Sequence, residues 1–459
     1  MELTSGLIAD YALDLEYDDL PDEAVAKAKR LVLDSVGCCL GGYASEPSKV
    51  VREVYGSPVH QGRGATVVGS GTTVPTEYAA LINSLMVRYL DYNDTYISEG
   101  RACHPSDHIP ALLAVAEAEE ASGSRALTAI VLAYELEGAG LDTGALWDEG
   151  FDYVTWGIYS CTAAVGKLVG LDRGELVSAI GIAGSASNAL GIARRGDVTM
   201  WKGAAHSYVN HNAVQACQMA RAGMTGPTDL FEGEAGVFEA MAGERIEAPP
   251  LGGRENESFR VSETHVKPFA CGYYMQSAIT ALFEVVEGSD LSPGDVAAIE
   301  VETFERAAEI LASPEKWSTD LTRETADHSI PYTLAVGLLD GDVSPRQYRP
   351  DRLRDERVHA IMDRVSVEVD PELTDYARSH PREVPMIVRV RTDDETLESR
   401  VNYPLGHAEN PMSDEQIEAK MADMATEYLS PDQVEAAVDI CYSLDELEHV
   451  DPLLDELVV

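Results

Sequence analysis

The sequence predicts a mainly α-helical protein, made of a large all-helical domain and a smaller α+β lid domain with an antiparallel sheet. Two observations predict this division. From about position 21 to position 243, apolar residues recur at helical spacing in run after run, without the apolar–polar alternation of a strand. After Pro249-Pro250, several short segments do alternate in that way. We therefore place the helical domain at 1–265 and 405–459, and the lid domain at 266–404.

The helical domain begins with a run that follows Asp22-Glu23 and ends near Gly41-Gly42. Six further helices are predicted at 76–90, 109–121, 125–141, 158–169, 173–189 and 204–222. They are rich in Ala and Gly and nearly apolar on all sides, which predicts central helices that pack on several neighbours. Gly69-Ser70-Gly71 follows no predicted strand and leads into no such helix, so a dinucleotide-binding fold is not predicted.

The lid domain is predicted to mix strands with short helices. The strands are expected at 296–304, 365–369, 386–392 and 396–402, and the helices at 276–287, 306–312 and 329–340. This order is typical of an α+β domain with an antiparallel sheet. Beyond Pro404-Leu405-Gly406 the pattern is helical again, at 414–429 and 431–440, and we expect these last helices to return to the helical domain.

The composition excludes some classes of protein. The net charge is −45, from 79 acidic and 34 basic residues, and such a field repels phosphate backbones, so no nucleic-acid binding is expected. The acidic residues are spread over the whole chain, which we interpret as adaptation to a salty cytoplasm that screens their repulsion. No signal-peptide pattern or uninterrupted apolar stretch stands out, so we expect a cytoplasmic protein without a membrane segment.

The cysteines give no sign of a metal centre. All seven lack C-x-x-C spacing, and most lie in apolar, helix-like surroundings. Small buried thiols fit this pattern better than disulfides or a metal cage. An iron–sulfur cluster would need thiolates brought together from distant positions. We therefore expect no metal and no cofactor.

The most informative segment is the Pro-broken loop 90–108, which precedes an apolar helix. It gathers Asp91, Thr95 and His104 with further acids and hydroxyls. Such groups would each need a partner once buried, so the loop is not expected to serve mainly as core. A carboxylate and an imidazole a few residues apart are what proton abstraction and return require. The alternative interpretation is an Asp- or Ser-capped helix start with solvated histidines.

A second segment clusters cations in a chain that has only eight lysines. It joins Arg194-Arg195-Gly196-Asp197 to Met200-Trp201-Lys202-Gly203. Guanidinium groups bind carboxylates in bidentate fashion, so the segment predicts an anion site. The alternative is a basic surface loop that pairs with neighbouring acids.

A third segment, from His265 to Gln276, lies at the predicted domain boundary. Lys267 precedes a proline, so it lies in extended backbone and is able to project its ammonium into a cleft between the domains. At least one of Tyr273 and Tyr274 is interpreted as packing at the hinge.

A fourth segment, from Thr325 to Tyr332, gives an apolar helix a polar start. It includes His328. The alternative interpretation is that Asp327 or Ser329 is no more than a helix cap.

The four polar segments described above resemble blocks of the MmgE/PrpD family in their order and spacing. Three further stretches share this resemblance, at 31–37, 223–227 and 231–233. The resemblance runs from Leu20 to about Lys420 and includes Met200-Trp201-Lys202-Gly203 and Ala326-Asp327-His328-Ser329-Ile330-Pro331-Tyr332. The family includes 2-methylcitrate dehydratase, cis-aconitate decarboxylase and iminodisuccinate epimerase. The resemblance implies a large helical domain with an α+β lid, a homodimer, and a site between the domains without an iron–sulfur cluster.

The resemblance also implies the residues of the active site. The catalytic residues would be Asp91, Thr95, His104, Lys202 and Tyr332. The residues that we expect to bind the substrate are Arg194, Arg195, Lys267, Gln276 and His328.

Two departures from the decarboxylase-like branch of the family bear on the reaction. Asp152 and Gln276 stand where that branch has histidines, which disfavours decarboxylation. Tyr274 and Met275 also depart from the dehydratase-type members, which the other segments resemble more. We expect removal of water from 2-methylcitrate, or a related tricarboxylate, to give 2-methyl-cis-aconitate. The alternatives are decarboxylation, epimerisation of a related acid, and a helical scaffold without catalysis.

The expected mechanism follows from the acidity of the substrate. Removing a proton beside a carboxylate builds up more negative charge, so cations or strong donors must meet that carboxylate. The residues expected to form this clamp are Lys202, Lys267 and Arg194 or Arg195. His104 or Asp91 would take the proton, and His104 or Tyr332 would protonate the leaving hydroxyl. The sequence leaves both choices open.

Overall fold

The computed structural model describes residues 3–59, 64–99, 101–194, 198–247, 249–254, 258–289 and 291–459. Helices dominate these residues, and the strands form one four-stranded sheet and two short hairpins. The predicted fold class, mainly α with an α+β part, is confirmed. Within the described ranges, no helix combines the length and the apolar character needed to span a bilayer.

The first part of the chain is built from helices, most of which match the predicted runs, whereas the first, third and seventh were not predicted. They are α1 (Thr4–Asp14), α2 (Asp22–Gly42), α3 (Glu46–Tyr55), α4 (Thr76–Tyr89), α5 (Ile109–Ala118), α6 (Gly123–Thr143), α7 (Ala145–Asp148), α8 (Val154–Leu168), α9 (Arg173–Ala186) and α10 (Trp201–Arg221). Local signals set their ends. The Ser122 hydroxyl accepts a hydrogen bond from the Arg125 amide at the start of α6, and Gly144 ends that helix with φ +69°.

Close packing of the central helices depends on small residues. Helix α10 packs against α4 and α8, and α8 packs against α6. At Gly140 of α6 the approach is so close that an added Cβ would lie 2.4 Å from Cδ2 of Trp156 in α8. The all-round apolar, Ala- and Gly-rich character of these helices therefore reflects burial on several sides.

Two short hairpins interrupt the helical part. Strand β1 (Ala65–Val67) pairs with β2 (Thr72–Val74), and β3 (Tyr96–Ser98) pairs with β4 (Arg101–Cys103). Three-residue strands are too short to show an alternating pattern, so they are not predictable from the sequence. The second hairpin lies between Asp91 and His104 and thereby fixes the path of the loop that carries both.

The sheet of the second part has the order β6-β5-β7-β8. Its strands are β5 (Ala298–Thr303), β6 (Val365–Val369), β7 (Met386–Arg391) and β8 (Thr396–Val401). The pairs β5–β7 and β7–β8 are antiparallel, as predicted, whereas the edge strand β6 runs parallel to β5. The long connection between β5 and β6 contains several helices, and a connection of that length allows a parallel pairing.

Helices cover this sheet and follow it. They are α11 (Met275–Glu287), α12 (Glu305–Leu311), α13 (Arg323–Ala326), α14 (Ile330–Asp340), α15 (Pro350–Leu353), α16 (Glu356–Met362), α17 (Pro371–Ser379), α18 (Asp414–Ala425), α19 (Pro431–Tyr442) and α20 (Asp451–Glu456). Helix α11 packs on β7, β8 and α14, while α18 packs on α2 of the first part. The division at 265/266 and 404/405 stays a prediction.

Candidate active site

A cavity of about 410 Å³ lies between residues of the helical part and residues near the sheet. Asp91 and His104 line it from the loop after α4, and Lys202 lines it from the first turn of α10. Lys316 and His328 line it from the connection between β5 and α14. The fold thus brings together segments that are more than 200 positions apart in the sequence.

Asp91 is the centre of the charged groups. It follows the end of α4 in a left-handed backbone conformation, with φ +52°. Its Oδ2 accepts a hydrogen bond from Lys202 Nζ at 2.6 Å, and its Oδ1 accepts one from Lys267 Nζ at 2.6 Å. Arg88 Nη1 lies 3.3 Å from the same Oδ1. Three cations therefore surround one buried carboxylate.

These cations decide the protonation of Asp91. Burial alone would raise the pKa of Asp91, but Arg88, Lys202 and Lys267 outweigh burial and hold that pKa well below its usual range. Asp91 is therefore an anion at neutral pH and a poor proton acceptor. Burial lowers the pKa of Lys267, while Asp91 opposes this effect. Lys267 is not among the residues described as lining the cavity. Its Nζ also donates a hydrogen bond to the backbone carbonyl of Asp91.

His104 has a defined tautomer. Its Nδ1 lies 2.6 Å from the carbonyl oxygen of Asp94, and because a carbonyl only accepts, Nδ1 carries the hydrogen. Burial, with Arg88 and Lys267, lowers the pKa of His104 well below its usual value, so the ring is neutral. A neutral ring with Nδ1–H keeps a lone pair on Nε2. A ring of this kind that lines a cavity has the properties of a general base.

Neighbours of His104 hold its ring in place. The Thr95 hydroxyl donates to the Asp94 carbonyl at 2.8 Å and lies 3.2 Å from His104 Nδ1. The Asp94 carboxyl accepts from Ser106 and from Tyr134, and burial raises its pKa to about 7. Thr95 thus supports the histidine and is not among the residues described as lining the cavity.

Lys202 lies between acids and an imidazole. Besides Asp91, its Nζ is 3.7 Å from Asp327 Oδ1 and 3.1 Å from His328 Nδ1. His328 Nδ1 is in turn 2.6 Å from Asp327 Oδ1. Asp91, Asp327 and His328 have ligand atoms close enough to hold a metal ion, but the Lys202 ammonium already places a positive charge among them. Lys202 is 7% exposed and does not face bulk solvent.

Arg194 adds a further cation to the wall. Its Nε donates to Asp152 Oδ2 at 2.6 Å, and its guanidinium lies over the ring of Tyr153 at 4.6 Å. Its Nη2 is buried and has no hydrogen-bond partner within the described part of the chain. Asp152, one of the departures noted in the sequence, thus orients Arg194. Arg195 lies outside the described residues.

Two predicted site residues have other partners. The Tyr332 hydroxyl donates to the backbone carbonyl of Gln347, and its ring packs against Tyr348. The Gln276 side-chain amide accepts a hydrogen bond from the Phe269 backbone N–H and donates one to the Phe269 carbonyl oxygen. Neither side chain is among the residues described as lining the cavity. The direct roles predicted for them therefore find no support in the geometry.

The structure also decides between some alternatives. Ser329 caps α14, because its hydroxyl accepts from the Tyr332 amide, whereas Asp327 is ion-paired. His104 is 8% exposed, so the interpretation of loop 90–108 as a helix start with solvated histidines does not hold for this residue. Tyr273 and Tyr274 line the cavity and pack on other rings, which agrees with their interpretation as packing residues.

Sequence reasoning missed Arg88 and Lys316. Arg88 is 2% exposed in the last turn of an apolar helix, and a cation at such a position requires an acidic partner nearby. An arginine at the end of an apolar run, close to Asp91, was visible in the sequence. Lys316 was identifiable only as one of the few lysines, since its connection shows no motif.

Several known proteins are similar to this chain over most of its length. The chain is 27% identical to the 2-methylcitrate dehydratase of Escherichia coli (strain K12) over 437 residues, which cover 87% of this chain and 85% of the relative. It is 28% identical to the 2-methylcitrate dehydratase of Cupriavidus necator over 439 residues, with the same coverage. It is 26% identical to the mitochondrial 2-methylcitrate dehydratase of Yarrowia lipolytica over 430 residues, covering 87% of this chain and 79% of the relative.

Two family models match adjoining parts of the chain. The MmgE/PrpD N-terminal domain matches residues 6–248, which is more than half of the chain. The MmgE/PrpD C-terminal domain matches residues 269–445. The chain therefore belongs to the MmgE/PrpD family.

Proposed function

We propose that this protein is a 2-methylcitrate dehydratase-like hydro-lyase, which removes water from 2-methylcitrate or a related tricarboxylate to give 2-methyl-cis-aconitate. One observation carries the proposal: the neutral His104 imidazole, with its hydrogen fixed on Nδ1, belongs to a cavity that Lys202 and Arg194 also line. A neutral base beside cations suits a polyanionic carbon acid. The names of the relatives support the same reaction.

The cations meet the main energetic demand of the reaction. Loss of a proton beside a carboxylate places more negative charge on that carboxylate, so the barrier falls when fixed positive charge is already present. Lys202 and Arg194 are held in place by Asp91 and Asp152 before any substrate arrives. We assign to them the carboxylate contacts, with Lys316 as a further cation on the wall.

We assign proton abstraction to His104. Asp91 is the other candidate from the sequence, but its cation partners keep its pKa too low for a useful base. His104 Nε2 takes the proton from carbon, the C–H electrons form the double bond, and the hydroxyl leaves from the adjacent carbon. Tyr332 donates to the Gln347 carbonyl instead, so the His104 imidazolium is assigned to protonate the hydroxyl as it leaves as water. His104 is then neutral again.

Lys267 and Arg88 are positioning residues in this scheme. They hold the Asp91 carboxylate, and Asp91 holds the Lys202 ammonium. The proposal also includes a homodimer in the cytoplasm and catalysis that needs no iron–sulfur cluster, since each step above uses side chains of this chain.

The test is a direct assay of purified protein in high KCl with 2-methylcitrate, citrate and cis-aconitate in separate reactions. We expect ultraviolet absorbance to rise with 2-methylcitrate as the conjugated double bond forms, at a rate that a chelator does not change. Release of carbon dioxide from cis-aconitate would instead support the decarboxylase alternative. Epimerisation of a related acid without an absorbance gain would support the epimerase alternative, and no turnover of any of these acids would favour a scaffold.

A further inference from the structure

Behind the active-site cavity, three ionisable side chains meet in the core. They are His108, which precedes α5, Glu137 of α6 and His206 of α10, and all three are 0% exposed. His108 Nε2 lies 3.1 Å from Glu137 Oε2, and His206 Nε2 lies 3.4 Å from Glu137 Oε1. None of them is among the residues described as lining the cavity, so the proposed reaction does not account for them.

The neighbours of His108 define where its hydrogen lies. The side-chain amide nitrogen of Asn210 donates to the Asp107 carbonyl at 2.7 Å and to the Ser84 hydroxyl at 3.0 Å. The Asn210 oxygen therefore faces His108 Nδ1, at 3.1 Å, and accepts its hydrogen. In a neutral His108, the Nε2 lone pair then faces Glu137 Oε2 at 3.1 Å and the Ser160 hydroxyl at 3.0 Å. Two lone pairs at this distance repel each other unless a cation or a proton lies between them.

An unpartnered atom lies at the same place. Glu137 Oε2 is buried without a hydrogen-bond partner in the described residues. A buried polar atom without a partner costs about 1–3 kcal/mol.

We propose that His108 Nε2, His206 Nε2 and the Glu137 carboxylate hold a divalent transition-metal ion, for which Zn²⁺ is the best fit. Two imidazoles and one carboxylate are a common zinc ligand set, and ligand atoms of a tetrahedral zinc ion lie about 3.3 Å apart. The two nitrogen–oxygen distances, 3.1 Å to Glu137 Oε2 and 3.4 Å to Glu137 Oε1, are close to this spacing, and one ligand atom from each residue lies within 4.8 Å of the others. Asn210 orients His108 as partners of metal-bound histidines do.

A fourth oxygen is available beside these ligands. The Ser160 hydroxyl lies 3.0 Å from His108 Nε2. Such an ion would join α6, α8, α10 and the segment before α5, which are the elements that carry or support the active-site loop. Tyr153 lies between the two sites, since its ring lines the cavity and is 5.9 Å from the ring of His206. The ion is therefore structural and does not contact the substrate.

The first test is the metal content of the folded protein, expressed with Zn²⁺ in the medium and dialysed against EDTA. We expect about one zinc ion per chain, retained during dialysis because the ligands are buried. Glu137→Gln and His206→Gln should each lower the content at least about tenfold. Glu135→Gln is the matched control. Glu135 is equally buried in the same helix but pairs with Arg260, so this variant should keep its zinc.

The second test does not depend on the variants being stable. Wild-type protein from zinc-depleted medium should melt at a lower temperature than zinc-loaded protein, and growth with Co²⁺ should give the visible absorption of four-coordinate cobalt. A wild-type protein that carries no stoichiometric metal and has the same Tm from both media overturns the proposal. The cluster would then be a buried ion pair between Glu137 and an imidazolium. Neither readout uses catalytic activity, so the result is independent of the proposed reaction.

Discussion

At the scale of single residues, the backbone of Asp91 shows how the site is held. A left-handed conformation costs most residues other than glycine about 1–2 kcal/mol, and it costs aspartate less because its short side chain can hydrogen-bond locally. At Asp91, with φ +52°, contacts with Lys202, Lys267 and Arg88 offset this cost. The conformation allows one carboxylate to meet cations from three different elements. Asp91 thus organises the cavity wall, while the proposed proton transfer falls to His104.

The proposed role of His104 gives the first prediction. His104→Ala should lower kcat at least about a hundredfold, because it removes the positioned proton acceptor. Lys202→Ala should have an effect of the same order, because it removes the ammonium that meets the developing charge. The measurement is steady-state kinetics on 2-methylcitrate, with the Tm of each variant as a check on folding. Wild-type turnover in both variants would contradict the mechanism.

The control for this prediction is His211→Ala. His211 is as buried as His104, at 8% exposure, but it stacks on Tyr78 and is not among the residues described as lining the cavity. Its loss should leave kcat near the wild-type value. The pH profile adds a second readout. His104 must be neutral to accept a proton, and its pKa is lowered from the usual value of 6.5. On the acidic side of the profile, wild-type kcat/KM should therefore begin to fall only at pH values below 6.5.

Part of the candidate site was predictable from the sequence. Asp91, His104 and Lys202 stand out because polar groups interrupt apolar runs, and the structure places all three on one cavity. The directions of Tyr332 and Gln276 were not predictable, because they depend on partners such as the Gln347 carbonyl, which lies in a different loop. A motif gives the position of a residue along the chain, but tertiary packing decides where its side chain points.

At the scale of elements, periodicity predicted the long helices because each buries a wide apolar surface. It did not predict the two hairpins or the parallel edge strand β6, since three-residue strands carry too few positions and strand direction depends on the connection. The return of the last helices to the first part is visible in the packing of α18 on α2, where Lys420 Nζ lies 2.5 Å from Asp34 Oδ1.

This ion pair between α18 and α2 gives an element-scale prediction. Asp34 is 0% exposed, and burial raises its pKa even though Lys420 lowers it. Lys420→Met should destabilise the protein by about 3–5 kcal/mol, because it leaves a buried acid without its cation. The measurement is the Tm and the urea midpoint at pH 7. Adding Asp34→Asn to this variant should restore part of the loss, since the uncompensated charge is then gone.

The matched control is a solvent-exposed ion pair. Arg378 lies 3.1 Å from Glu305 and its side chain is 66% exposed, so Arg378→Met should change stability by less than about 1 kcal/mol. Equal losses from Lys420→Met and Arg378→Met would show that burial does not strengthen the link between α18 and α2.

At the scale of the whole molecule, two opposite electrostatic arrangements coexist. The chain carries a net charge of −45, yet the described lining of one cavity balances five cations against four carboxylates: Arg88, Arg194, Lys202, Arg306 and Lys316 against Asp91, Asp152, Glu309 and Glu315. In the proposed reaction, the local cations bind and activate an anionic substrate at short range. The surrounding acids repel that substrate at long range, and they also repel one another. Salt screens exposed charges over a few ångströms at molar concentration, whereas it screens buried pairs much less.

The last prediction follows from this difference in screening. The Tm should rise by on the order of 10 °C between low and molar KCl, because screening relieves repulsion among exposed acids while the buried ion pairs persist. NaCl should act equally, since screening depends on ionic strength. Sucrose at the same osmolarity, which does not screen charge, should give a smaller rise. A Tm that stays constant from low to molar KCl would show that the acidic surface is not an adaptation to salt.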